Sequence, residues 1–283
     1  MERYENPQIP EGINVSPDHP LKDFAILLLS VSGILVVAAL VLSLLAGYLV
    51  QYVPFEQEKA LASRLSESWQ KQSAAADNKQ QYLQQIADKL AAGMDLPKGM
   101  TISVHYSKDD TVNAMATLGG NIVIFQGLID VMPNENALAM VVAHEIAHVR
   151  HRHPIVALGR GFAVLLAISS LTGVGDEVMQ RWVNDMGMIT LLSFSRTQEA
   201  EADVDALQAL LKTYGHVEGA NAFFEYAAKQ PRAEMTVLWS THPGIEDRVA
   251  KIRQFAHEHE AAGETVLRPL PDFLKLHETE ARN

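Results

Sequence analysis

Between Asp23 and Glu56 no side chain carries a charge, and Phe24 to Val50 is almost wholly Leu, Val, Ile, Ala, Gly and Ser. A helix that crosses a bilayer needs roughly 20 such residues, so this run is long enough to span with some tilt. Tyr48 and Tyr52 fall where an aromatic belt at the membrane surface would lie. A cleaved signal peptide would have a shorter apolar core behind a basic tail, whereas the tail here is acidic. The pattern therefore predicts an uncleaved transmembrane anchor over residues 23–53, behind a disordered polar tail at 1–22 that holds four prolines. Arg3 and Lys22 precede the span, and Lys59, Arg64 and Lys71 follow it, so the positive-inside count leaves the orientation open.

Past the anchor the period changes. Leu61, Leu65 and Trp69, then Tyr82, Ile86 and Leu90, recur at helical spacing on either side of the polar stretch Ser73–Asn78. They predict two amphipathic helices within residues 54–93 that pack their apolar stripes onto a following domain. Thr101 to Ser107 alternates polar and apolar, the pattern of a half-buried strand. Val112–Thr117 and Asn121–Phe125 flank Leu118-Gly-Gly and read as a hairpin. Asn134 is the expected N-cap of a helix running to about Arg152 and stopping before Pro154. A second apolar run, Phe162–Val174, is short for a span and predicts a buried or interfacial helix. Further helices are expected near 179–192, 197–213, 217–229 and 244–259. The catalytic-size unit covers 94–260, with a tail at 261–283. The fold class is α+β, mostly helical with a small β-sheet, preceded by one transmembrane helix.

Composition narrows the chemistry. With 23 Lys+Arg against 34 Asp+Glu the formal charge is −11, which repels phosphate backbones and argues against nucleic acid as a partner. The absence of cysteine removes disulfides, thiolate metal sites and a thiol nucleophile. It leaves 11 histidines as the main soft metal ligands.

His144-Glu145-Ile-Ala-His148 satisfies H-E-x-x-H inside a predicted helix, the context that motif requires. Composition alone would give roughly 0.02–0.03 such matches by chance. Residues four apart stand one turn apart on one face, so both imidazoles can bind one ion. Zinc accepts two such nitrogens, and a carboxylate or another His must then be the third ligand. Glu145, rotated roughly 100° from His144, can stand beside the ion and take a proton from a metal-activated water attacking a carbonyl. Downstream, Glu199 and Asp203 are spaced i,i+4 and share a helix face, so Glu199 can reach zinc while Asp203 orients a ligand imidazole. Glu201 points the opposite way and reads as solvent-exposed. His151 and His153 read as cations in the last turn of the motif helix.

The HEIAH helix, the Ser195–Asp203 segment and Thr241-His242-Pro243 with Arg248 resemble the CAAX prenyl protease and HtpX-like family of membrane-associated zinc metallopeptidases, the gluzincins. The likeness covers about residues 90–255. It implies a zincin-like domain, with Glu199 and Asp203 on the family's Glu-x-x-x-Asp motif. It also implies that His242 and Arg248 stabilise the oxyanion or bind near the metal. Asn113–Phe125, with Gly119, Gly120 and Asn121, is similar to the family's edge strand that pairs with an extended peptide. One span rather than several makes the chain look more like the single-anchor Oma-type branch. That branch implies a single-pass protein of a bacterial inner membrane with its catalytic domain in the periplasm.

Together these readings predict a membrane-anchored endopeptidase with one Zn2+ per chain, hydrolysing extended or misfolded membrane and envelope proteins. Its partners are polypeptide substrates and the lipid bilayer, with a homo-oligomer or a membrane-protein partner left open. The alternative is a membrane-anchored quality-control or chaperone module whose zinc site is structural or largely inactive.

Overall fold

A computed structural model describes residues 20–65, 77–172, 193–231, 241–242, 244–259 and 265–275. Residues 1–19 of the polar tail, most of the Ser73–Asn78 separator and the helix expected at 179–192 lie outside the described residues; residues 20–22, expected in that tail, belong to the first helix.

Helix α1 spans Pro20–Val50. An 18-residue window within Leu21–Val50 reaches a mean hydropathy of 2.9, and the helix is long and apolar enough to cross a membrane. Nearly all of its side chains are exposed, but Leu35, Ala39, Ser43, Ala46 and Val50 are half-buried at a spacing of three to four. The apolar run expected at Phe162–Val174 belongs to a longer helix, α6, at His153–Thr172. Among the described elements α1 pairs most extensively with α6. Glycine permits the approach: a Cβ at Gly47 would sit 2.8 Å from Arg160 Nε, and one at Gly159 would sit 3.1 Å from Val50 Cγ2. Small residues at a crossing let two helix backbones approach closely.

Helix α2, Phe55–Leu65, follows the span, and α3, Asp77–Ala92, lays Leu83, Ile86 and Leu90 into the main core. The sheet has three strands in the order β1-β3-β2. Strand β1 is Ser103–Ser107, β2 is Ala114–Ala116 and β3 is Asn121–Phe125. β3 is central, parallel to β1 (Ser103 opposite Asn121) and antiparallel to β2 (Ala116 opposite Ile122). The expected hairpin is present, though β2 is shorter than its sequence pattern and joins β3 through a 3-10 turn at Leu118–Gly120. The β1 edge is covered by α3: the side-chain oxygens of Gln84 and Gln80 accept from the Val104 and Tyr106 N–H groups, each at 2.8 Å. Covering an edge in this way removes a site of stray pairing.

After the short α4, Gln126–Val131, helix α5 runs Glu135–Arg150. Asn134 caps it as expected, its side chain accepting from Ala137 N–H at 2.9 Å. The helix ends before Pro154, two residues short of the expected Arg152. α5 stops at Arg150, Arg152 takes φ 58°, and His153-Pro154 opens α6. Proline therefore acts here as a helix starter in the first turn, where its missing N–H costs nothing. Helix α7, Arg196–Tyr214, begins with a Ser195/Gln198 capping box and ends at Gly215 with φ 77°. α8, Ala222–Lys229, packs against α5, and α9, Ile245–Glu258, packs against α7 and α8. The molecule is a mostly helical α+β domain with a small sheet.

Candidate active site

α5 is buried along almost its whole length, so its His144, Glu145 and His148 side chains are all at most 3% exposed. One turn of separation brings the two Nε2 atoms to 3.0 Å. α7 lies against α5 and supplies the acids. Glu199 Oε2 is 3.3 Å from His144 Nε2, and its Oε1 is 3.3 Å from His148 Nε2. Asp203, one turn on, meets the other side of the His144 ring, Oδ1 to Nδ1 at 3.0 Å. His242, in the turn before α9, places Nδ1 3.2 Å from Glu199 Oε1 and Nε2 3.6 Å from Glu145 Oε1. His144, His148, Glu199 and His242 thus offer four donor atoms within 4.8 Å of one another, a group that could hold a metal ion.

Arg248, in the first turn of α9 and buried, grips the acids. Its Nε and Nη2 donate to the two Asp203 oxygens at 2.7 Å each, and Nη1 donates to Glu199 Oε2. The bidentate fork fixes orientation as well as charge. Phe224 lies under the guanidinium, 4.7 Å from ring centroid to Cζ.

These surroundings set the protonation. Burial and Arg248 push His144 down, but Asp203 and Glu199 outweigh them and hold it at about 9. Burial drives His148 well below the usual imidazole range. Burial and the Glu199 charge raise Glu145, against the pull of His242, His144 and the Ala116 N–H. For Glu199 burial is outweighed by three imidazoles, and for Asp203 by Arg248 and His144, so both carboxyls lie low. An acid raised by burial beside low-lying acids is the separation expected of a proton-transferring group beside ligand acids.

A cleft of about 310 Å³ opens onto this cluster, lined by Ala114, Val141, Phe223 and Phe224 besides His144, Glu145, His242 and Arg248. Strand β2 forms one wall. Phe125 N–H donates to Asn113 O and Thr117 N–H to Asn121 O, so the odd-numbered residues of this strand turn their backbone toward β3. Ala114 and Ala116 turn theirs the other way, and Ala116 N–H donates to Glu145 Oε2 at 2.6 Å.

His144, Glu145, His148, Glu199, Asp203, His242 and Arg248 therefore stand in one constellation. Gly119 and Gly120 stand elsewhere, packed on Lys59 and Ala62 of α2 and on the Thr101 carbonyl. Asn121 bonds Leu118 O and His105. Asn113 is buried beside β2, with neither side-chain polar atom hydrogen-bonded. Sequence reasoning missed Phe194, stacked on His148 at 3.9 Å, and Phe224 under Arg248. Apolar residues at such spacing read as ordinary core, and no sequence signal marks them out. His151 caps the end of α5, close to its expected place in the last turn. His153 differs: it opens α6 instead of ending α5, and its ring turns under His148.

Comparison with known proteins agrees with this constellation. The sequence profile of Peptidase family M48 matches residues 77–256. The mitochondrial metalloendopeptidase OMA1 of Schizosaccharomyces pombe is 32% identical over 168 residues, 57% of this chain and 49% of that protein. The beta-barrel assembly-enhancing protease of Escherichia coli is 32% identical over 171 residues, 53% of this chain and 33% of the relative. Metalloprotease LoiP of Escherichia coli is 31% identical over 206 residues, covering 70% and 79%. The chain thus spans a third to a half of the length of the first two relatives. On the matched profile and the buried His-Glu cluster that falls within it, the chain belongs to peptidase family M48.

Proposed function

We propose that this chain is a membrane-anchored zinc endopeptidase, with His144, His148 and Glu199 as metal ligands and Glu145 as general base. One observation carries the reading: two Nε2 atoms and one carboxylate converge within 3.3 Å while Glu145 stands beside them without joining them. The donor set, two imidazoles and a carboxylate with no thiolate, fits a catalytic zinc with a coordination position left open. Zinc bound there would lower the pKa of a water and polarise the scissile carbonyl.

The protein's own groups do the rest. Glu145 accepts the water proton and passes it to the leaving amine. Asp203 holds His144 through Nδ1, and Arg248 keeps Asp203 and Glu199 in place as a pair. His242, within reach of both Glu145 and Glu199, donates to the oxyanion. An extended peptide laid along the outward edge of β2 at Ala114–Ala116 would present its backbone to the cleft. Selection of this kind reads backbone more than side chains and favours unfolded or extended polypeptides.

We place the catalytic domain on the outer side of an energy-coupling membrane, the periplasm in a bacterium. Relatives named for the mitochondrion and for β-barrel assembly support that placement, and the apolar α1 supports the attachment to a membrane. The pairing of α6 with α1 holds the end of the catalytic helix close to the bilayer, which suits membrane and envelope proteins as substrates. The test compares wild type and Glu145→Gln on casein, with and without a chelator. Loss of cleavage with retained zinc supports the enzyme. A zinc-loaded wild type that cleaves nothing overturns it in favour of a binding module.

A further inference from the structure

The proposed ligand His148 has a second nitrogen, and the structure gives it an unexpected partner. His148 Nδ1 lies 2.8 Å from Nδ1 of His153, and both residues are buried. The positive φ of Arg152 turns the chain sharply between α5 and α6, so the first side chain of α6 folds back under α5. Beyond it, His153 Nε2 lies 3.7 Å from Glu201 Oε2. The His151 ring stacks on His153 at 5.3 Å and is itself held, Nε2 to Asp205 Oδ2, at 2.8 Å.

The direction of these bonds follows from metal chemistry. An imidazole that gives its Nε2 lone pair to a metal keeps its proton on Nδ1. His148 Nδ1 must then donate, and His153 Nδ1 must accept. A neutral ring that accepts at one nitrogen carries its proton on the other, so His153 is protonated on Nε2, the nitrogen that faces the Glu201 carboxylate at 3.7 Å, a charge contact longer than a hydrogen bond. Metal-ligating histidines are oriented in this way by an outer carboxylate. Here His144 meets its acid, Asp203, directly, whereas His148 meets its acid through an intervening ring.

We propose that His153 is a positioning residue for His148, backed by Glu201, and that together they fix the tautomer and ring orientation of the second metal ligand. The proposal rests on the ligand assignment above. His151, His153 and Glu201 also bring donor atoms within 4.8 Å of one another, and by geometry alone could hold a second cation. Proton accounting decides against it. With Nδ1 accepting from His148 and Nε2 protonated, His153 has no lone pair to give unless it is stripped to imidazolate.

The test uses the full chain in detergent and reads zinc affinity by competition with a chromophoric chelator, together with the visible spectrum of the Co2+-substituted protein. His153→Leu keeps the bulk and removes the acceptor, and should weaken zinc binding about 10–100-fold and alter the Co2+ spectrum. His153→Asn places an oxygen near the former Nδ1 and should recover most of the loss. Glu201→Gln, at a half-exposed position, should weaken binding less, about 3–10-fold. Wild-type affinity and spectrum in His153→Leu overturn the proposal. So does a wild type that takes up two zinc ions per chain and loses one in Glu201→Gln. Should His153→Leu fail to fold, unchanged affinity and spectrum in Glu201→Gln overturn it alone. A wild type that binds no zinc overturns the ligand assignment, whereas intact wild-type binding with unmoved variants overturns only this inference.

Discussion

His144 and His148 are one turn apart on α5, yet their surroundings pull them in opposite directions. His144, between Asp203 and Glu199, is held at about 9, while burial keeps His148 neutral. Because metal binding needs the unprotonated ring, a metal entering at pH 7 must displace the His144 proton. Uptake of zinc by the metal-free protein should therefore release about one proton at pH 7, read with an indicator dye in weak buffer. The release should vanish above about pH 9, and apparent affinity should climb about tenfold per pH unit up to that point. A pH-independent affinity between 6 and 9 would contradict the environment described for His144. His242→Ala should lower kcat by about 10²–10³ with KM nearly unchanged, since its contact strengthens in the transition state. A rise in basal cleavage would instead identify His242 as a fourth ligand that restrains the metal, in line with its place in the four-donor group. Arg248→Ala would remove the guanidinium from two buried carboxylates, leaving them to the neighbouring imidazoles, and should cost about 3–5 kcal/mol of stability, visible as a lowered Tm of the metal-free protein.

At the scale of elements, the junction between α5 and α6 ties α1 to the His-Glu cluster. Arg152 donates through Nη2 to the buried Glu58 of α2 at 2.7 Å and through Nη1 to the Gln51 carbonyl at 3.0 Å, where the chain leaves α1. Glu58 in turn accepts from Gly119 N–H at 2.9 Å. One arginine thus links the end of α1, α2, the β2–β3 turn and the end of α5. Glu58→Ala should destabilise the chain by about 3 kcal/mol because it strands a mostly buried guanidinium. Denaturant titration of the detergent-solubilised protein checks this. Gly120 is constrained differently. Its φ is 80°, and an added Cβ would fall 2.0 Å from the Thr101 carbonyl oxygen. Gly120→Ala should therefore cost about 1–3 kcal/mol, although it lies away from the His cluster.

For the whole molecule, α1 and its pairing with α6 predict that the protein stays in the membrane fraction after carbonate washing, since the attachment is apolar and intramolecular. Protease digestion of intact spheroplasts tests the sidedness: degradation only after lysis would refute the periplasmic placement. The sequence by itself determined the long apolar first helix, because the uncharged run between Asp23 and Glu56 is long and apolar enough to cross a membrane. It also determined the H-E-x-x-H pair and the Glu199/Asp203 face, because helical geometry turns spacing of four into proximity without reference to the rest of the chain. Asn134 and Ser195 were legible for the same local reason. Tertiary structure alone decided contacts between distant segments: Arg248 across Asp203 and Glu199, the Ala116 N–H on Glu145, and the small-residue seam that seats α6 on α1. It also decided His153, whose place in the sequence reads as a helix-end cation. A single backbone reversal at Arg152 turned that ring under His148, and no periodicity in the sequence encodes the direction of such a turn.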